Sequence, residues 1–218
     1  MQGMIRCVVV AGLLYGCGPG DTVTPVDGAG SSGTAALSIQ WKAVPGDWPG
    51  DINSSVTIDE ARFSFDNLRV IGDAGPGDPR TTETTFEVRW DSGTTPASID
   101  FDNAPIGLYS QLSLQIAGRD LSKNSYELRG TVDIGDRMEF RIEDKLPMPI
   151  ALSIDKMLMP NKTATVELEI DFVHALSGVD FETMDVDNGR LELNETDPEI
   201  IGFRKKLVES FKPTDGSN

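Results

Sequence analysis

Cysteine is nearly missing from this 218-residue chain: there are two, Cys7 and Cys17, both close to the N-terminus. Everything after them is without a disulfide, a thiolate nucleophile or a cysteine-ligated metal. Histidine is scarcer still. His174 stands alone in Phe172-Val173-His174-Ala175-Leu176 and reads as a structural residue at a strand end. One imidazole cannot make a His-rich zinc site. Basic residues are outnumbered, 19 against 35 acidic, for a formal net charge of −16. Nucleic acid and anionic lipid headgroups need Lys or Arg to neutralise phosphate, so both are excluded as partners. No P-loop, dinucleotide fingerprint, G-x-S-x-G elbow or H-E-x-x-H is present. That leaves catalysis by two carboxylates that meet only in space, a glycoside-hydrolase-like chemistry, as the remaining enzymatic alternative to a non-enzymatic protein.

What is there begins with an address. In Met1 to Cys17 one cation, Arg6, precedes an apolar run from Cys7 to Tyr15. That is the order of a secretory signal peptide, and the run is too short to span a bilayer. It ends in Leu14-Tyr15-Gly16-Cys17, which resembles the bacterial lipobox, with Tyr15 replacing the usual small residue. The resemblance implies removal of residues 1–16 and acylation of Cys17 with palmitate-type chains. Several acyl chains make a stable membrane anchor where one is marginal. Gly18 is not the Asp that would imply retention at the inner membrane, which points to the outer membrane of a bacterial envelope. Residues 17–34 are rich in Gly, Ser, Thr, Asp and Pro and read as a flexible tether, with a reach of roughly 20–25 Å by flexible-chain scaling.

From Ala35 onward the dominant signal is alternation with a period of two. Leu37, Ile39 and Trp41 share one face of a first strand. In Asn103 to Gly118, a Pro105–Gly107 turn leads into a strand expected at the middle of the fold. There Leu108, Ser110, Leu112, Leu114 and Ile116 share one face, and Tyr109, Gln111, Ser113, Gln115 and Ala117 the wet one. Tyr109 is expected to pin this corner through its hydroxyl, as in a tyrosine corner. Val56 to Gly72 changes parity twice, which predicts a β-bulge at Asp66-Asn67 and a bulge or break at Asp59-Glu60. Tyr126 to Ile142 reads as a hairpin turning at Ile134-Gly135-Asp136, with its charges outside. Asp73 to Thr82 reads as a polar loop.

These elements predict an all-β antiparallel sandwich, immunoglobulin-like or prealbumin-like, of about eight or nine strands over residues 35–195. A helix over 196–212 follows, then a tail at 213–218. Asp197 is the expected cap, Pro198 and Glu199 fill the first turn, and Ile200, Phe203, Leu207 and Phe211 make a stripe packed on the domain. Possible sites fall in loops. Trp48, flanked by Asp47 and Asp51, is either a ring folded over the edge of the core or an exposed aromatic that stacks on a sugar or a partner. Asp185, Asp187 and Asn188, and separately Asp100 and Asp102 beside Asn103, offer oxygen ligands for calcium, or are turn residues capping backbone amides.

The parity break over Val56 to Val70, the Pro105-Ile106-Gly107-Leu108-Tyr109 turn and the strand Thr163 to Phe172 together resemble a group of bacterial secreted and lipoprotein β-sandwich domains of unknown function. The resemblance covers Ala35 to Phe172 and implies fold and location, with no catalytic residue. The functional expectation is a lipid-anchored envelope protein, held to the membrane through Cys17, that binds an envelope protein or a glycan or has a structural role there. The first alternative is a calcium-dependent or carbohydrate-binding adhesion module.

Overall fold

The computed structural model describes residues 35–72, 80–119 and 123–214. Cys17, the leader, the tether, residues 215–218 of the tail and residues 73–79 of the polar loop lie outside the described residues. The strands are β1 (Ala36–Val44), β2 (Gly50–Asp51), β3 (Val56–Gly72), β4 (Arg80–Glu83), β5 (Phe86–Trp90), β6 (Ile99–Phe101), β7 (Gly107–Ile116), β8 (Tyr126–Asp133), β9 (Arg137–Asp144), β10 (Met148–Leu158) and β11 (Thr163–Asp171). A short helix α1 (Phe172–Leu176), a 3₁₀ turn (Phe181–Thr183), β12 (Asp185–Asp187), β13 (Arg190–Leu193), helix α2 (Ile200–Glu209) and β14 (Phe211–Thr214) complete the order. The fold is an all-β sandwich with a C-terminal helix. Its fourteen described strands exceed the eight or nine expected, because several are pieces of two to four residues.

One sheet has four strands in the order β14-β11-β1-β6. The other has ten, running β10-β7-β3-β8-β9-β13-β12 with β2, β4 and β5 added along β3. Pairing is antiparallel except for β1 with β11 and β13 with β9, which are parallel. The middle of the fold is therefore β3 and not β7, which lies one strand from an edge. Ala61 pairs with Trp90 of β5 and Leu128 of β8; Phe65 pairs with Phe86 of β5 and Ile116 of β7. Thus β8 and then β7 share one edge of β3, while β2, β5 and β4 follow along the other.

Both irregularities expected in β3 are present, and both are bulges. The register slips between Ile58 and Glu60 against β8, and between Asp66 and Arg69 against β7, where Asn67 takes a φ of 53°. Each adds one residue, so Val56, Ile58, Ala61, Phe63, Phe65, Leu68 and Val70 all face the core despite their changing parity. The first bulge draws β8 close: a Cβ on Gly130 would stand 2.1 Å from the Thr57 carbonyl oxygen. That approach tolerates only glycine.

A third irregularity lies in β7, where simple alternation fails. Tyr109 is fully buried, not on the wet face, while Leu108 and Ser110 are half-buried. The register shifts beside it on both neighbours, at Ile71/Gly72 and at Ser153/Lys156. The expected corner is nevertheless made, with the Tyr109 hydroxyl donating to the Pro105 carbonyl at 2.7 Å.

The core between the sheets is strongly aromatic. Trp41 of β1 stacks on Phe65 with ring centres 5.1 Å apart, and Phe172 lies 6.1 Å from Phe63. Phe211 meets Phe63 edge-on at 6.0 Å. It does so from β14, paired to β11, and not from the helix. The helix is shorter than the expected 196–212 because Ser210 closes its last turn and Phe211 joins the sheet. Asp197 does not cap it: its carboxylate turns back to accept from the Asn194 amide at 2.7 Å. Ile200, Phe203 and Leu207 are buried against the domain, as their spacing predicts. Phe172 starts α1 rather than ending a strand, and its neighbour His174 is an exposed residue of that helix, 3.7 Å from Glu209. Arg80, Thr81 and Thr82, expected in a loop, belong to β4. No helix among the described residues is long and apolar enough to cross a membrane.

Candidate functional site

The chain has three tryptophans, and all three border one groove of about 570 Å³. Strand β1 places Trp41 at its wall, the last residue of β5 is Trp90, and the loop between β1 and β2 supplies Trp48. That loop has cis bonds at Val44-Pro45 and Trp48-Pro49 and closes tightly, since a Cβ on Gly50 would lie 2.4 Å from the Pro45 ring. Trp48 is half-buried. Its ring stacks on Trp90 at 6.4 Å and meets Phe172 edge-on at 5.6 Å. The first of the two sequence readings, a ring folded over the core edge, therefore describes it, and it is not a free-standing aromatic. The same ring still borders the groove. The indole Nε1 atoms of Trp41 and Trp48 are both buried without a hydrogen-bond partner. Trp41 is only 6% exposed, so its N–H has given up water and gained nothing in return.

Polar groups rim the tryptophans. Asp91 accepts from the Gly93 amide at 2.8 Å and pairs with Arg89 at 2.9 Å. The Gly93 amide, with Thr94 and Arg89 beside it, holds the Asp91 carboxyl below its usual range. Ser92, Thr94 and Thr95 add exposed hydroxyls, and Glu169 is bound to Lys212 at 3.0 Å. Asp47 is exposed at the rim with no ion pair among the described residues. Asp51, on the far side of the loop, accepts from Thr57 at 3.0 Å and does not line the groove.

A second groove of about 510 Å³ lies across the Asp91–Gly93 turn and shares Asp91, Ser92 and Gly93 with the first. It runs over the β3 bulge and holds Asp59, Glu60, Arg89, Arg129, Glu139 and Arg190. Its arginines are engaged. Arg89 binds Glu60 at 3.1 Å, Arg129 binds Glu127 at 2.5 Å, and Arg190 pairs closely with Glu192. Asp59, the residue inserted by the bulge, has no ion pair among the described residues. Burial pushes its carboxyl up, Arg137 pulls it back in part, and Glu139 pushes it further. Glu127, expected outside with the other hairpin charges, is instead buried at 4% exposure beneath Arg62, Arg129 and Arg141.

The calcium candidates are not brought together. Asp187-Asn188-Gly189-Arg190 is a two-residue hairpin turn joining β12 to β13, with φ of 51° at Asn188 and 80° at Gly189. Positive φ at both centres is what Asn-Gly supplies in a type I′ turn. Asn188 donates to Asp187 at 3.1 Å, and Asp185 stands further along the exposed β12. Asp100 belongs to the other sheet, where Ser38 and Ser98 hydroxyls take its two oxygens at 2.6 and 2.9 Å. Asp102 is exposed in the following turn. Among the described residues no three His, Cys, Asp or Glu side chains group to hold a metal ion.

Sequence reasoning found Trp48 and Asp47 but missed Trp41, Trp90, Asp59 and Glu139. The usable signal was scarcity: with three tryptophans in the chain, one inside a strand, one ending a strand and one in a Pro/Gly loop, their meeting was worth asking about. Comparison with known proteins finds no matching family model, no matching curated protein and no matching solved structure.

Proposed function

We propose that this chain is a lipid-anchored protein of the bacterial cell envelope whose sandwich binds a glycan in the tryptophan groove. The observation that carries the binding reading is the convergence of Trp41, Trp48 and Trp90 on one groove. Trp41 and Trp90 are buried, so it is the half-buried Trp48 ring that the apolar face of a sugar would meet, while the hydroxyl rim suits its polar edge. Anchoring rests on the lipobox-like Leu14-Tyr15-Gly16-Cys17, and kinship with the bacterial lipoprotein β-sandwiches rests on the motifs that resemble them.

Titrating the full chain in detergent with a panel of envelope-type oligosaccharides, read by tryptophan fluorescence, tests binding. Trp48→Ala should weaken the response at least tenfold; a panel with no binder sinks the reading. Chelation by EDTA should leave the affinity unchanged, since the reading needs no calcium. Release of new reducing ends, abolished by Asp59→Asn, would replace binding by carboxylate hydrolysis. Replacing Cys17 with Ser should move the protein from the membrane to the soluble fraction and remove acyl labelling.

A further inference from the structure

The two grooves meet at Asp91, Ser92 and Gly93, which line both, and two of these three residues are small. Ser92 and Gly93 are exposed, and a Cβ on Gly93 would meet only the Asp91 carboxylate, at 3.7 Å. A chain longer than one ring can therefore leave the tryptophans and continue past these residues into the charged groove.

The charges along that path are unequal in availability. The arginines of the second groove are already bound to Glu60, Asp91, Glu127 and Glu192. The groups without an ion pair among the described residues are carboxylates: Asp47 in the first groove, Asp59 and Glu139 in the second. An anionic chain would meet these and the net charge of −16. A neutral chain would leave their charge unanswered. A cationic one would answer it, and the electron-rich face of Trp48 also favours a cation beside it.

Resting on the glycan reading above, we propose that both grooves form one site and that its ligand is an oligosaccharide carrying free amino groups, with its first ring at Trp48 and its amines on Asp47, Asp59 and Glu139. The hydroxyls of Ser92, Thr94 and Thr95 favour a saccharide over a lysine-rich peptide, because sugar rings present matching hydroxyls and lysine side chains do not.

The test is calorimetric titration of the full chain with three probes: a glucosamine hexamer, the N-acetylglucosamine hexamer and hexalysine. The glucosamine hexamer should bind at least tenfold more tightly than the acetylated one and lose that advantage at high salt. Asp59→Asn with Glu139→Gln should erase the difference and leave the acetylated hexamer unchanged. Glu139 is exposed, and Asp59 is half-buried with no ion pair among the described residues, so these substitutions keep the test valid even if Trp48→Ala disturbs folding. Equal binding of both hexamers overturns the amine inference and leaves the glycan reading standing. Hexalysine matching the glucosamine hexamer in a manner lost with Trp48→Ala overturns it in favour of a basic peptide. Failure of both hexamers, with other glycans bound, overturns this ligand class; failure of every glycan sinks the underlying reading as well.

Discussion

Asp144 and Asp59 lie in the same ten-stranded sheet, one at the end of β9 and the other at the bulge in β3. Asp144 is fully buried and completely partnered. Arg204 of α2 grips it through Nε at 2.5 Å and Nη2 at 2.9 Å, the amides of Lys145 and Leu146 donate at 2.7 and 3.0 Å, and the Tyr126 hydroxyl reaches it at 3.3 Å. Burial pushes its pKa up, but Arg204 and the two amides outweigh burial and leave it below the ordinary value. Asp59 is only partly buried and has no such partner, so burial wins and its pKa is raised. One carboxylate fastens the helix to the sheet. The other carries charge that the fold itself does not use. That difference separates a structural charge from one available to a ligand.

The contrast can be broken most directly at Asp144. Asp144→Asn or Arg204→Met should each lower the unfolding free energy by about 3–5 kcal/mol, because each strands a buried charge or polar group. Replacing both by apolar residues should recover most of the loss. Urea denaturation checks this, and a single-mutant cost below about 1 kcal/mol would show the pair to be incidental.

Acid should act in the same direction. Glu127 and Asp144 have ordinary values of 4.5 and 3.8, and in the fold both lie lower. For Glu127 too burial pushes upward, and Arg129, Arg141 and Arg62 more than offset it. Their stabilisation is complete above those ordinary values and is lost as pH falls through the folded ones. Thermal midpoints should therefore drop steeply below about pH 4. Asp59 has the opposite sign: its raised pKa penalises the folded state at neutral pH, and the penalty lifts as pH falls through it. A smaller effect is expected at the corner of β7, where Tyr109→Phe removes the bond to Pro105 and should cost about 1 kcal/mol. Smallest of all, Asp59→Asn should change stability by less than ~0.5 kcal/mol and never toward a large loss. A large loss would place Asp59 among the structural charges and remove it from the ligand site.

Much of the scaffold was legible because a strand records its facing in every second residue. The parity changes of β3 located both bulges, since only an inserted residue returns Ala61, Phe63 and Phe65 to the face of Val56 and Leu68. The same logic failed at Tyr109, where the irregularity is shared with β10 and with the end of β3, and no local pattern reports a neighbour's register. It failed at Phe211 because an apolar residue spaced one more helical turn along fits a helix stripe and a strand equally well. Glu127 was misplaced for a related reason: alternation gave its face but not the three arginines that cover it.

The site was the least legible part. Trp48 and Asp47 could be singled out because a Trp within a Pro/Gly loop is locally conspicuous. That Trp41, Trp48 and Trp90 share one groove depends on β1 lying across from β5 in the opposing sheet, a packing set by tertiary contacts alone. The sequence by itself determined the class of fold, the positions of the β3 bulges, the Tyr109 corner and the burial of the Ile200–Leu207 stripe, because these follow from residue order and short-range geometry. Only the tertiary structure decided which strand is the hub, which carboxylates are spoken for and where the tryptophans meet, because pairing between distant strands is chosen by the total burial and hydrogen bonding of the whole sandwich and not by any one segment.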